Sequence, residues 1–186
     1  MATRTGRDRE EASRWARRLL ERTDWVILDT ETTGLDASAE VVQLAVLGSD
    51  GSTLVDTLVR PRGRIPRDAV AIHGITDTMV ATAPLYAEVY TTLLGMVESK
   101  SIIAYNAPFD RKMLIQTALS NRVAIISNPW ECAMDQYARF LGQWSSRRGS
   151  YAWVSLPRPD APPGYKHQAI DDCRATLAVI RRMASG

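Results

Sequence analysis

Two carboxylates stand at the end of an apolar run near the N-terminus. The run 25–28 is followed by Asp29 and, two residues later, by Glu31, within the sequence DTETTGL. Because strand side chains alternate between faces, these two acids share one face, with Cα atoms about 7 Å apart. Two like charges this close repel unless a cation lies between them, and Mg²⁺ prefers carboxylate oxygens as ligands. The pair alone fits a metal site and a solvated strand end equally well.

Two later motifs add further acids, and each motif also has an ordinary structural explanation. The sequence NAPFD places Asn106 at a helix N-cap and Asp110 one turn into that helix. The sequence HQAIDD places His167 before a helix and Asp171 and Asp172 in its first turn. Acids in a first turn are favoured by the helix dipole. However, sites in open α/β sheets form at the carboxyl ends of parallel strands, which would bring these motifs beside the first pair.

The convergence of Asp29, Glu31, Asp110 and Asp172 indicates a site for divalent ions. Four carboxylates at one place repel one another too strongly to stay ionised without cations. Two ions, Mg²⁺ or Mn²⁺, would stabilise the attacking and leaving oxygens of a phosphodiester. Histidine can take a proton from water near neutral pH, so His167 is the candidate base.

The hydrophobic pattern predicts the elements that must position these residues. Strands are predicted at 25–30, 40–48, 52–60, 101–105 and 123–126, and helices at 10–21, 85–98, 107–119, 131–141 and 168–184. Asp50 and Gly51 predict a hairpin between the second and third strands. Three antiparallel strands followed by parallel strands, flanked by helices, indicate an α/β fold with a mixed five-stranded sheet. We expect residues 1–9 to be disordered and residues 10–186 to form one domain.

Composition sets few limits on function. The chain has 186 residues, of which 45% are hydrophobic and 24% charged, as in ordinary globular proteins. No apolar run approaches the roughly 20 residues that span a bilayer, and the N-terminus is too polar for a secretory signal, so we expect a cytoplasmic protein with no membrane partner. Cys132 and Cys173 fit no zinc spacing and are expected to be free thiols. The net charge of +2 gives no strong indication of nucleic-acid binding.

The segment 143–165 is predicted to be a long loop that mixes basic and aromatic side chains. Aromatic stacking combined with positive charge is how proteins hold single strands without reading their sequence. The alternative is that the tryptophans bury against the domain, which we favour for Trp153. The basic and aromatic side chains concerned are Arg147, Arg148, Arg158, Trp144, Tyr151 and Trp153.

Taken together, the three motifs resemble those of the DEDDh family of 3′–5′ exonucleases. DTETTGL matches D-x-E followed by T-G-L, NAPFD matches N-x-x-F-D, and HQAIDD matches a histidine, four residues and an aspartate. The resemblance spans about residues 25–184. It implies a ribonuclease-H-like fold and metal-dependent hydrolysis of phosphodiester bonds from a 3′ end, with release of nucleoside 5′-monophosphates by a two-metal mechanism.

The resemblance also implies a role for each matching residue. Asp29, Glu31 and Asp172 would hold the first ion, Asp29 would bridge to a second ion near Asp110, and His167 would be the general base. An alternative for His73 is a turn histidine hydrogen-bonded to the backbone. The implied substrate contacts are Thr32, Thr33, Gly34, Leu35, His73, Ile75 and Asn106. One departure is Tyr105, which stands where some members have histidine and alters the periphery of the site.

Several alternatives stay open at this point. A haloacid-dehalogenase-like phosphatase also begins with acids after a strand, but it would have no use for His167 and Asp172. A non-catalytic nucleic-acid-binding module and an RNA-specific exoribonuclease of the same family are further possibilities. Oligoribonucleases typically carry methionine where Thr32 stands, which favours DNA or mixed use. The expected partner is a single-stranded nucleic acid with a free 3′ end. The sequence leaves a polymerase or other protein partner unknown and fits a monomer or a homodimer.

Overall fold

The computed structural model describes residues 4–159, 162 and 164–186. The strands are β1 (Trp25–Thr32), β2 (Val41–Gly48), β3 (Thr53–Leu58), β4 (Ser101–Ala104), β5 (Trp130–Cys132), β6 (Trp144–Ser145) and β7 (Ser150–Tyr151). The helices are α1 (Arg4–Leu20), α2 (Arg67–His73), α3 (Asp77–Val80), α4 (Tyr86–Val97), α5 (Ala107–Ser120), α6 (Ala133–Leu141) and α7 (Ala169–Ser185).

The main sheet has the strand order β3-β2-β1-β4-β5. β1 pairs antiparallel with β2 and parallel with β4, and β5 adds parallel to β4. The expected mixed five-stranded sheet is therefore confirmed, with β1 at its centre. The hairpin between β2 and β3 also forms as predicted: the amide of Gly51 donates to the carbonyl of Gly48 at 2.9 Å, and Gly51 has φ of 88°, which suits glycine.

Helices cover both faces of the sheet, and the alternation along β1 decides which side chains meet which helices. Trp25 and Ile27 pack on one face with α1, α6 and α7, whereas Val26 and Leu28 pack on the other face with α4 and α5. Asp29 continues the series of Trp25 and Ile27. The first acid of the site is therefore directed to the α7 face of the sheet.

The N-terminal segment differs from its prediction. Residues 1–9 were expected to be disordered, but α1 already begins at Arg4, and residues 1–3 lie outside the described residues. Tertiary contacts hold this turn: the Arg4 guanidinium lies 4.1 Å from the Trp144 ring centroid, and the Tyr151 hydroxyl donates to Asp8 at 2.5 Å. Such contacts come from distant residues, so the local polar composition did not predict them.

The fifth strand also differs from its prediction. It was expected at 123–126, but the strand that pairs with β4 is Trp130–Cys132, and α6 begins after it. The Asn128 side-chain amide donates to the carbonyls of Val97 and Lys100 at 2.7 and 2.9 Å. These bonds anchor the chain beside β4 only from this point onward, while Ile126 packs into the core without pairing.

The long loop and the thiols agree broadly with expectation. Within 143–165 the described residues contain only the short hairpin of β6 and β7, where the rings of Trp144 and Tyr151 pack edge to face at 5.1 Å. Cys132 and Cys173 are free thiols. Within the described part of the chain, no helix combines the length and the apolar character that a bilayer crossing requires.

Candidate active site

The acids of the three motifs meet in one cavity of about 860 Å³ at the carboxyl ends of β1 and β4. β1 supplies Asp29 and Glu31, and the first turn of α5 supplies Asp110. Asp172 comes from the first turn of α7, and His167 from the segment just before it. The structure thus brings together all five residues that the sequence singled out for catalysis.

Three residues of this group have ligand atoms spaced closely enough to share one metal ion. Ligand atoms of Glu31, His167 and Asp172 all lie within 4.8 Å of one another. Glu31 and Asp172 are buried, whereas Asp29 is partly exposed at the floor of the cavity. A set of buried carboxylate oxygens of this kind fits the ligand preference of Mg²⁺ or Mn²⁺.

Asp110 is fixed by a residue that the sequence did not single out. The backbone amide and the hydroxyl of Thr30 donate to Asp110 Oδ1 at 3.1 and 2.8 Å. Thr30 lies between Asp29 and Glu31 on β1, so its side chain is directed to the opposite face, towards α5. One strand therefore supplies two acids on one side and positions a third acid from the other side.

Asp29, Glu31 and Asp110 have raised pKa values and hold protons more strongly than ordinary acids do. Burial, followed by the charges of Asp110 and Asp172, raises the pKa of Asp29 well above its usual value. Burial, followed by Asp172 and Asp110, raises the pKa of Glu31 to about 8. Burial raises the pKa of Asp110 to about 7, although the hydrogen bonds from Thr30 oppose that rise. A divalent ion in this site would displace these protons.

An arginine from the long loop lies among the acids. Arg158 donates from Nε to Asp172 Oδ1 at 2.7 Å and from Nη2 to Asp172 Oδ2 at 2.5 Å. The same Nη2 lies 3.3 Å from Nδ1 of His167. The sequence indicated Arg158 only as one of several loop cations, because nothing in its local context points to α7.

The choice between the two adjacent aspartates of the third motif agrees with the geometry. Asp172 lines the cavity. Asp171 instead accepts hydrogen bonds from Arg174 at 3.1 Å and from the Tyr165 hydroxyl at 3.3 Å. The structure therefore places Asp171 as a helix-start acid, as expected.

The rim of the cavity is apolar and exposed, in contrast to its acidic floor. Leu35 is 76% exposed, Ile72 is 54% exposed and Trp153 is 71% exposed, and all three line the cavity. The expectation that Trp153 buries against the domain is wrong, because its side chain lies exposed at the rim of the cavity. Ile72 was missed by the sequence reasoning, although it precedes a histidine that was singled out.

His73 fits the alternative of a backbone-bonded turn histidine. Its Nδ1 accepts from the amide of Ile75 at 3.0 Å, which leaves Nε2 to donate to the carbonyl of Thr32 at 3.2 Å. Burial lowers the pKa of His73, so the neutral ring is favoured. The ring borders the cavity and ties the end of β1 to the segment after α2.

Ile75 does not take the place expected for a substrate contact. It is 1% exposed and packs in a core cluster with Val42, Ile65 and Val80. Its apolar side chain is more favourable in that core than at the wet cavity, and the contribution of Ile75 to the site is its amide, which binds His73.

The remaining expected substrate contacts line the cavity. Thr32 Oγ1 donates to the carbonyl of Gly34 at 2.8 Å, and Thr33 exchanges hydrogen bonds with Glu40 at 2.9 Å. These bonds fix the turn that presents Leu35. Asn106 occupies the N-cap of α5, but within the described residues its side chain makes no capping bond; its carbonyl instead accepts from the amide of Phe109 at 2.8 Å.

Comparison with known proteins agrees with this arrangement. Residues 26–180 match the RNase_T family, described as exonucleases. An uncharacterized exonuclease, CP81, of Escherichia phage 186 is 36% identical over 174 residues, which cover 88% of this chain and 89% of the phage protein. Exodeoxyribonuclease 10 of Escherichia coli K12 is 33% identical over 159 residues, covering 83% of this chain and 66% of that enzyme.

A solved structure gives the same result for the fold. The structure of exonuclease X in complex with 5′ overhanging duplex DNA is similar with a TM-score of 0.58 and 30% sequence identity. The similarity covers 87% of this chain and 93% of that one. The fold is therefore shared over nearly the whole chain.

Proposed function

We propose that the cavity of this chain hydrolyses the terminal phosphodiester of a nucleic acid and releases nucleoside 5′-monophosphates. The premise is that the chain belongs to the DEDDh 3′–5′ branch of the exonuclease family. The observation that carries the proposal is the convergence of four carboxylates and one histidine beneath an apolar rim. The acidic floor suits metal ions and a phosphate, whereas the rim suits the faces of bases.

In this proposal Asp29, Glu31 and Asp172 would hold one divalent ion, and Asp29 and Asp110 would hold a second. When bound, Mg²⁺ or Mn²⁺ supplies charge stabilisation to the attacking and leaving oxygens. Ligand atoms of Glu31 and Asp172 lie within 4.8 Å of each other, and Asp29 lines the same cavity, which supports the first position. Both hydrogen bonds from Thr30 go to Oδ1 of Asp110 and leave Oδ2 of that carboxylate for an ion, which supports the second metal position.

His167 is the proposed general base, which takes a proton from the attacking water. Its ring is partly exposed to the cavity and lies 3.5 Å from Asp172 through Nδ1. A positioned base of this kind contributes about 10²–10⁴-fold to a rate. Within the described residues, the other histidine of the chain, His73, has both ring nitrogens bound to backbone, which favours His167 for the task.

DNA is the proposed substrate, with RNA as the alternative. The support is the name of the Escherichia coli relative, an exodeoxyribonuclease, and the DNA bound in the structure of exonuclease X. We propose a single-stranded 3′ end, because exposed Leu35 and Trp153 offer contact to unpaired bases. We also propose that the protein acts in the cytoplasm.

The test is a product ladder on four matched substrates. DNA and RNA strands of one sequence, labelled at the 5′ end, are incubated single-stranded and as duplexes with Mg²⁺ or Mn²⁺. We expect progressive shortening of single-stranded DNA by the wild type and none by Asp29→Ala. Asp171→Asn is the matched control, since Asp171 pairs with Arg174 and should leave the ladder intact.

Three results would count against the proposal or part of it. A ladder that survives Asp29→Ala would show that another site, or a contaminant, cuts the strand. Absence of any ladder in both metals would favour the non-catalytic binding module. Shortening of RNA in preference to DNA would replace the proposed substrate by the alternative one.

A further inference from the structure

Arg158 binds both oxygens of the Asp172 carboxylate. Its Nε and Nη2 atoms contact the two oxygens of Asp172 at 2.7 and 2.5 Å, in the forked geometry that arginine forms with carboxylates. The contact is largely shielded from water, since the side chains are 21% and 7% exposed. It is therefore screened less by solvent than a surface ion pair.

The same guanidinium lies against the candidate base. Nη2 of Arg158 is 3.3 Å from Nδ1 of His167, and the carbonyl of Leu156 accepts from Nη1 at 3.5 Å. A guanidinium is always a donor, so a bond here uses the lone pair of His167 Nδ1. One cation thus covers a proposed metal ligand and one nitrogen of the proposed base together.

The segment that carries Arg158 has no helix or strand in its described residues, 152–159, 162 and 164–168. Leu156, which packs in the core, precedes Arg158 in this segment. The guanidinium can therefore move away from Asp172 without breaking a regular element. Asp172, in contrast, is fixed in the first turn of α7.

We propose that Arg158 is an internal counter-cation of the empty site, which a divalent ion must displace from Asp172 before it can bind. The inference rests on the proposed function, because it takes Asp172 as a metal ligand. In the absence of metal, Arg158 offsets the repulsion among the acids. On metal binding it releases both Asp172 and His167 Nδ1, so Arg158 sets the metal affinity of the site.

The proposal fixes the sign of a metal titration. Arg158→Gln removes the competitor, so Mn²⁺ should bind about tenfold more tightly than to the wild type, the factor expected from loss of one charge-assisted contact at the lower end of its range. Arg158→Lys keeps the charge but not the fork, and should lie between the two. A residue that assists metal binding would give the opposite sign.

Arg174→Gln is the matched control for simple loss of charge. Arg174 lies on α7, as Asp172 does, and it pairs with Asp171, the neighbour of Asp172. Its removal deletes the same unit charge without touching the fork, so we expect less than a twofold change. An equal gain in Mn²⁺ affinity for both variants would overturn the proposal, because bulk charge would then explain it.

Thermal unfolding with chelator and with Mg²⁺ gives a second readout that does not depend on activity. Metal-free Arg158→Gln should unfold below the wild type, because Asp172 loses its cation among three other acids, and Mg²⁺ should raise its Tm by more than it raises that of the wild type. A lower Tm that Mg²⁺ does not recover would indicate a merely structural role.

These outcomes are separable from failure of the proposed function. If wild-type protein binds no Mn²⁺, the metal site itself is wrong and both proposals fall. If the wild type binds Mn²⁺ and shortens DNA, but Arg158→Gln binds Mn²⁺ no more tightly, the counter-cation proposal alone is overturned.

Discussion

Thr30→Val tests how β1 prepares Asp110 for its charge. The substitution keeps the shape of Thr30 and its backbone bond to Asp110, but removes the hydroxyl donor at 2.8 Å. A hydrogen bond to a charged group contributes about 1.5–3 kcal/mol, and one to a neutral group about 0.5–1.5 kcal/mol. The loss should therefore be larger by about 1.4 kcal/mol when Asp110 is ionised, which corresponds to a rise of about one unit in its pKa.

The pH dependence follows from the position of that pKa. The pKa of Asp110 in the folded protein is about 7, above an unfolded value of about 4. The contribution of Asp110 to the free energy of unfolding therefore falls as the pH rises from 4 to 7. Thr30→Val raises the folded pKa further, so the fall continues to about one unit higher in pH. The two proteins should differ by a small constant below pH 6 and by more above pH 8.

The assay is urea unfolding of metal-free protein at pH 5.5 and pH 9, analysed for wild type and variant. Thr176→Val is the matched control. The buried Thr176 hydroxyl donates at 2.8 Å to the backbone carbonyl of Asp172, and a backbone carbonyl carries no charge. Its effect on the free energy of unfolding should be the same at both pH values. An equally pH-independent effect for Thr30→Val would refute the view that Thr30 stabilises the ionised form of Asp110.

Further predictions concern the metals, the base and the strand. Mg²⁺ should raise the Tm more at pH 8.5 than at pH 6, because at the lower pH it must displace a proton from Glu31, whose pKa is about 8; equal shifts in a thermal melt would contradict this. His167→Ala should lower turnover about 10²–10⁴-fold in single-turnover assays while Mn²⁺ still binds; unchanged turnover would exclude it as the base. Trp153→Ala should weaken binding of single-stranded DNA by about 5–150-fold in fluorescence anisotropy, the range for loss of one stacked base; unaltered affinity would mean that no base stacks there. Replacing Arg147 and Arg148 by Gln should flatten the salt dependence of that binding by about 1.4 in slope, or about 0.7 per phosphate contact; an unaltered slope would exclude both as contacts.

The convergence of the candidate catalytic residues in one cavity was predictable because each motif is local in the sequence. The alternation of a strand placed Asp29 and Glu31 on one face, and helix starts placed Asp110 and Asp172 within a turn of a strand end or loop. The rule that parallel strands open sites at their carboxyl ends then brought them together. Each of these steps uses spacing within a few residues, which sequence alone carries.

What was missed depends on contacts between distant segments. Arg158 is fourteen residues from Asp172, and the residues described between them before α7 form no helix or strand, so no periodicity relates the two. The first turn of α1 is held by Trp144, more than a hundred residues away. Trp153 is exposed although tryptophan is usually largely buried, and nothing in its local sequence indicates this.

The position of β5 shows a second kind of error. Residues 123–126 have the apolar character of a strand. Pairing with β4 begins only after Asn128, whose side-chain amide donates to the carbonyls of Val97, at the end of α4, and Lys100, just before β4. A strand is defined by its partner, so apolar character alone predicted the wrong pairing segment. Of the residues concerned, Ile126 is buried, whereas Ile125 is 46% exposed.

The number of Mn²⁺ ions bound per chain, measured by equilibrium dialysis in the presence of a nucleoside 5′-monophosphate, tests the two-metal site most directly. The wild type should bind two ions and Asp110→Asn should bind one. Asp29→Asn should bind neither ion as tightly as the wild type does, because Asp29 is proposed to help hold both. Two tightly bound ions in Asp29→Asn would contradict the proposed metal centre.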